Sequence, residues 1–153
     1  MNIPGFIDLQ VNGYKGVGFS SLDLTEEKFI YACHELFNVG IAAFLPTLIT
    51  SSKEVYERNL PLISAVINRE EFRGKLLGIH LEGPFISGEQ GAVGAHNPEY
   101  VCSPSMGYLE KLQDWASGNV KLLTIAAELP EADTFTRYAA DNGIRYHLGI
   151  RWP

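Results

Sequence analysis

The sequence predicts an α/β fold in which a parallel sheet carries its helices outside. Three observations carry this. Strand-like apolar runs alternate with amphipathic helical stretches along the chain. The strand-like runs are apolar nearly throughout, as strands buried on both faces are. About five such runs occur in 153 residues, whereas a full (β/α)8 TIM barrel has eight and takes about 250 residues. The pattern therefore fits either a smaller open sheet or a partial barrel, about its first five strands.

Gly5–Asn12 reads as the first buried strand, and Gly-rich Asn12–Ser21 as the loop after it. Asp23 with Glu26 suggests a capping box for a helix whose Phe29, Ala32, Cys33, Leu36 and Phe37 form one apolar stripe. Gly40 is a fitting stop for it. Ile41–Ile49 is the second strand, and Pro46, which has no N–H to give a ladder, predicts a break or bulge near its end. Ser51 with Glu54 reads as the cap of a second helix that runs to Asn68, kinked at Pro61. Lys75–Gly83 is the third strand. Ser105–Ser117 is a helix with Tyr108, Leu109, Leu112 and Trp115 on one side. Val120–Leu129, Glu131–Gly143 and Ile144–Ile150 follow as strand, helix and fifth strand.

Net charge is -6, which argues against nucleic acid and anionic membrane as partners. No run approaches the ~18 apolar residues of a membrane span. Met1 is followed by Asn2-Ile3-Pro4-Gly5, not by a basic segment and an apolar stretch, so no signal peptide is expected. Cys33 and Cys102 fit no metal or redox spacing and read as free thiols in a reducing cytoplasm. No GxGxxG or GxxxxGKS/T follows the first strand, which weakens a nucleotide-binding reading.

In a barrel, chemistry gathers at the C-terminal ends of the strands. Gln10 and Asn12 lie near the end of the first strand and, two apart, face the same way. Both are candidates for lining a site or for capping loop backbone. Glu82 ends the third strand. It is either an acid bonded to nearby backbone N–H groups or a functional group, since acids are rarely buried unless paired. Glu128, just before Leu129-Pro130, reads better as a helix-start acid. His80 alternates with Glu82 and either reaches the same interior or fills it. His96, in the loop after Glu82, is the histidine best placed to touch a ligand. His34 falls within a helix and reads as a surface or packing residue.

Four stretches carry a resemblance: GFIDLQVNG from Gly5, LPTLIT from Leu45, GIHLEGPF from Gly78 and GAHNPEYV from Gly94. In this order they resemble the N-acetylglucosamine-6-phosphate deacetylase family of the amidohydrolase superfamily, from Gly5 to about Ile144. The resemblance implies a (β/α)8 barrel, usually joined to a small β-sandwich domain. Residues 1–153 would then be an incomplete metal-dependent hydrolase barrel without that small domain. It implies hydrolysis of the N-acetyl group of N-acetylglucosamine 6-phosphate to glucosamine 6-phosphate and acetate, and a cytoplasmic homodimer.

It also implies roles. Glu82 matches the family's metal-binding glutamate. Gln10-Val11-Asn12 stands where many superfamily members carry His-x-His, a departure that goes with a single-metal site. His96, with Ala95 beside it, matches a loop that contacts the sugar. A divalent metal, Zn or Fe, would polarise the amide and lower the pKa of bound water.

The family's first metal-binding histidine should end the fifth strand, in a motif like GITVSLGHS, and Ile150 stands at that position. His147 lies three residues early and is no match. Codons for Arg145–Pro153 can be chosen so that another frame reads Val-Ser-Leu-Gly-His-Ser-Val-Ala. The expectation is therefore a one-base deletion near Arg145, and a chain that is inactive alone and holds metal weakly. A late start at Met1 fits the same picture. A non-catalytic sugar-phosphate-binding half-barrel is the alternative.

Overall fold

The computed structural model describes residues 5–149. The readings that rest on Met1 and Ile150 lie outside them. Its main sheet has five parallel strands in the order β1-β4-β5-β6-β7: β1 Phe6–Val11, β4 Ile41–Ile49, β5 Ile79–Glu82, β6 Val120–Ile125 and β7 Arg145–Leu148. A small hairpin, β2 Gly13–Tyr14 with β3 Val17–Gly18, follows the end of β1. The helices are α1 Glu26–Asn38, α2 Lys53–Ile67, α3 Met106–Trp115 and α4 Ala132–Asp141. Strand and helix alternate, and the five strands match a partial (β/α)8 barrel.

The helices form because each has an apolar stripe to bury against the sheet. Phe29, Ala32, Cys33 and Leu36 of α1, Leu60 and Ile63 of α2, Leu109 and Leu112 of α3, and Phe135 and Ala139 of α4 are all buried. They join one cluster with Phe44, Leu48, Leu81, Leu123 and Ile125 of the strands. Each large side chain so buried stabilises the fold by about 1.5–3 kcal/mol. Side chains alternate across each strand, so with Leu81 facing the helices, His80 and Glu82 face the opposite, inner side. Among the described residues, no helix is long and apolar enough to cross a membrane.

The caps differ from the expected ones by one or two residues. Thr25, not Asp23, caps α1, its hydroxyl accepting the Lys28 N–H. Asp23 lies a step too early and takes the Lys28 ammonium at 2.7 Å instead. Ser52, not Ser51, caps α2, because the Ser51 hydroxyl is already donated to the Ile49 carbonyl at 2.8 Å. Pro61 sits inside an uninterrupted α2.

Pro46 does not break β4 either. The irregularity falls in the pairing, where the β1–β4 register shifts between Asp8 and Val11, and Val11 comes to lie opposite Pro46. β5 is shorter than the apolar run because the chain turns at Gly78, φ 125°, where a Cβ would lie 2.3 Å from the Lys121 side chain. Leu76 keeps a lone bridge to Phe44.

Both outer strands leave apolar side chains open to solvent: Phe6 (72% exposed), Ile7 and Leu9 on β1, and Tyr146 and Leu148 (51%) on β7.

Candidate functional site

At the C-terminal ends of the strands lies a cavity of about 400 Å3 whose wall includes Gln10, Glu82, Ala95, His96, Thr124 and His147. Four strands and one loop supply these residues. Gln10 comes from β1, Glu82 from the last position of β5, Thr124 from β6 and His147 from β7. Ala95 and His96 come from the loop after β5.

The path of that loop is set at Gly83. Its φ is 87°, and a Cβ there would lie 2.1 Å from the Thr50 hydroxyl, so only glycine makes this exit. Consecutive turns then fold the chain back. The Val93 carbonyl accepts the His96 N–H at 3.1 Å, and the Asn97 side chain accepts the Glu99 N–H at 3.0 Å. His96 is thereby returned to the strand it left.

Glu82 is half-buried and weakly compensated. The Asn12 amide donates to its Oε2 at 3.5 Å, and the His96 Nε2 stands 4.0 Å from its Oε1. Among the described residues no Lys or Arg pairs with it. The Nδ1 of His96 is buried and has no hydrogen-bond partner among the described residues. A half-buried carboxylate with long contacts, beside an imidazole whose other nitrogen is left unbonded, is a candidate for binding a ligand.

Gln10 and Asn12 do face the same side, one on the cavity wall and one on Glu82. His80 faces that side too but is not on the wall. It is 2% exposed, one layer beneath Glu82, bonded through Nδ1 to Thr47 Oγ1 at 3.2 Å and through Nε2 to Thr124 Oγ1 at 2.8 Å. Burial pulls its pKa down to about 4 from 6.5, and the nearby Glu82 charge only partly offsets this. Glu128 is exposed in the turn after β6, and His34 is exposed on α1 with its ring 5.8 Å from that of Phe72.

Sequence reasoning missed His147 as a wall residue, and it missed Thr47 and Thr124. The signal was present: Arg145, His147 and Gly149 alternate, and so do Leu122 and Thr124, so each set shares a face. What failed was the registration of that face across strands.

A divalent metal in a catalytic site typically takes three protein ligands. Glu82 fits one. Among the described residues no group of three His, Cys, Asp or Glu comes together. The described residues therefore present no complete metal donor set.

No protein-family profile matches the chain. It is 38% identical over 151 residues to N-acetylglucosamine-6-phosphate deacetylase of Mus musculus, covering 95% of this chain and 36% of that protein. It is 35% identical over 132 residues to the protein of the same name in Haemophilus influenzae, covering 82% and 32%. Among solved structures it superposes on N-acetyl-D-glucosamine-6-phosphate deacetylase from Mycobacterium smegmatis with TM-score 0.84 at 27% identity, over 96% of this chain and 37% of that one. A mutant of that enzyme in complex with N-acetyl-D-glucosamine-6-phosphate matches equally well, with TM-score 0.84. The Pasteurella multocida enzyme matches with TM-score 0.79 at 31% identity, over 95% and 37%. The chain thus spans about a third of the length of the proteins it matches.

Proposed function

We propose that this chain, which belongs to the N-acetylglucosamine-6-phosphate deacetylase family over the part of the barrel it covers, carries the first portion of a site that hydrolyses the N-acetyl group of N-acetylglucosamine 6-phosphate. The observation that carries the reading is the under-compensated Glu82 carboxylate on the cavity wall with the His96 imidazole beside it, its Nε2 4.0 Å from Oε1 and its buried Nδ1 without a hydrogen-bond partner among the described residues. Glu82 would hold a divalent metal, Zn or Fe, and that metal would polarise the amide and activate water. His96 and Ala95 stand on the loop wall, where they would meet the sugar. Gln10 stands on the same wall, and the Asn12 amide, bonded to Glu82 at 3.5 Å, would keep that carboxylate aimed into the cavity.

With one ligand among the described residues, the 153-residue polypeptide by itself binds metal weakly and does not turn over. That same observation favours a second reading, a half-barrel that binds the sugar phosphate without cleaving it. Calorimetry with N-acetylglucosamine 6-phosphate separates the two. Heat of binding that is lost in His96→Ala, with no acetate released, favours the binding reading. Release of acetate by the isolated polypeptide would overturn the account of an incomplete donor set.

A further inference from the structure

One layer beneath Glu82, a chain of side-chain hydrogen bonds crosses four strands. The Thr47 hydroxyl accepts the Val11 N–H from β1 at 3.1 Å and donates to the Leu45 carbonyl at 3.2 Å. It also meets His80 Nδ1 on β5, and His80 Nε2 meets the Thr124 hydroxyl on β6. Thr47 and His80 are almost wholly enclosed, and Thr124 nearly so.

Counting hydrogens assigns the ring. A threonine hydroxyl has one hydrogen and two lone pairs. That of Thr47 is spent on Leu45 and one lone pair is taken by Val11, so towards His80 it can only accept. Nδ1 must carry the ring proton. Nε2 is then bare and accepts the Thr124 hydroxyl hydrogen.

We propose that His80 is a positioning residue for the site: a neutral Nδ1–H imidazole that ties Thr47 to Thr124 and so fixes the separation of Asn12 and Glu82 above it. Asn12 directly follows Val11, whose N–H ends the chain of bonds. Glu82 is two residues beyond His80 and pairs in register with Thr124. The ends of β1, β5 and β6 are thus set by one ring. The link matters most at β1, where the shifted register between Asp8 and Val11 leaves the ladder irregular. The inference rests on the metal-site reading of Glu82 for its function, though not for its geometry.

The test uses the 153-residue polypeptide with 15N-labelled histidine. Long-range proton–nitrogen spectra are expected to show His80 Nδ1 protonated and Nε2 bare in the unaltered chain, and the reverse assignment overturns the inference. Thr124→Val removes the donor to Nε2 at similar volume. It is expected to move the Asn12 side-chain amide signals and to weaken zinc binding about 10–100-fold, the range for partners that hold a ligand in place. Thr124→Ser is expected to restore both. Unmoved Asn12 signals in a folded Thr124→Val chain sink the proposal. If the unaltered chain holds zinc too weakly to measure, as a one-ligand site can, the tautomer and the Asn12 signals alone decide the role of His80.

Discussion

The Asn12 amide donates to Glu82 Oε2 across 3.5 Å, joining the end of β1 to the end of β5. It is the only hydrogen bond found to that carboxylate among the described residues, and the imidazole of His96, at 4.0 Å, is the other close group. An acid kept for structure would be tied down by backbone N–H groups, and this one is not. Glu82→Gln therefore removes a poorly compensated charge at almost no change in volume. Its melting temperature is expected to match the unaltered chain, with stability within about 1 kcal/mol, while zinc binding measured by calorimetry disappears. A large fall in melting temperature would make Glu82 a structural acid.

His80 gives the fold a pH dependence of known sign. In the unfolded chain it takes up a proton near its ordinary 6.5, while in the folded chain burial delays this to about 4. Between those values the unfolded state holds more protons, so stability is complete above about 6.5 and falls as the pH drops towards 4. The loss across that range is on the order of 3 kcal/mol. Urea midpoints at neutral pH and near pH 4.5 measure it. His80→Gln is expected to flatten the slope, and an unchanged slope in that variant assigns it to other groups.

The two thiols should react in a fixed order. Cys33 is enclosed under α1 and burial pushes its thiol up to about 12. Cys102 is only half-buried and is raised less by the same cause. A thiol reagent at neutral pH is expected to label Cys102 slowly in the native chain and Cys33 only after denaturant is added. Mass spectrometry reads both, and fast native labelling of Cys33 would show that α1 opens.

The outer strands invite association. Ile7 and Leu9 on β1, and Tyr146 and Leu148 on β7, face solvent beside unpaired backbone edges, an arrangement that pairs readily with other chains. The 153-residue polypeptide is expected to self-associate as its concentration rises in analytical ultracentrifugation. Leu9→Lys with Leu148→Lys should suppress this, because charge on an edge strand opposes pairing. A monomer at all concentrations would show that the edges are protected in solution.

The order of strands and helices was legible because each strand is a short apolar run and each helix carries a stripe such as Phe29, Ala32, Cys33 and Leu36. The ends of elements were less so. Both Asp23 and Thr25 can cap a helix, and only the course of the preceding turn decides that Thr25 does. β5 lost its first residues to the close approach of Lys121 at Gly78, a tertiary contact that no local pattern announces. In the site, Glu82, Gln10, Asn12 and His96 were identifiable from strand ends and motif. The brace of Thr47, His80 and Thr124 was not, because it depends on how three strands register with one another, and apolar pattern does not encode register between parallel neighbours.

The proposed role of Glu82 in deacetylation is tested most directly by grafting. Residues 5–144, which stop short of the Ile150 position, would replace the matching segment of the Mus musculus relative, and a folded graft would be assayed for acetate release from N-acetylglucosamine 6-phosphate with divalent metal present. The account predicts turnover by the graft and a loss of about 100-fold or more in kcat/KM for its Glu82→Gln variant. Equal turnover by the two would contradict it.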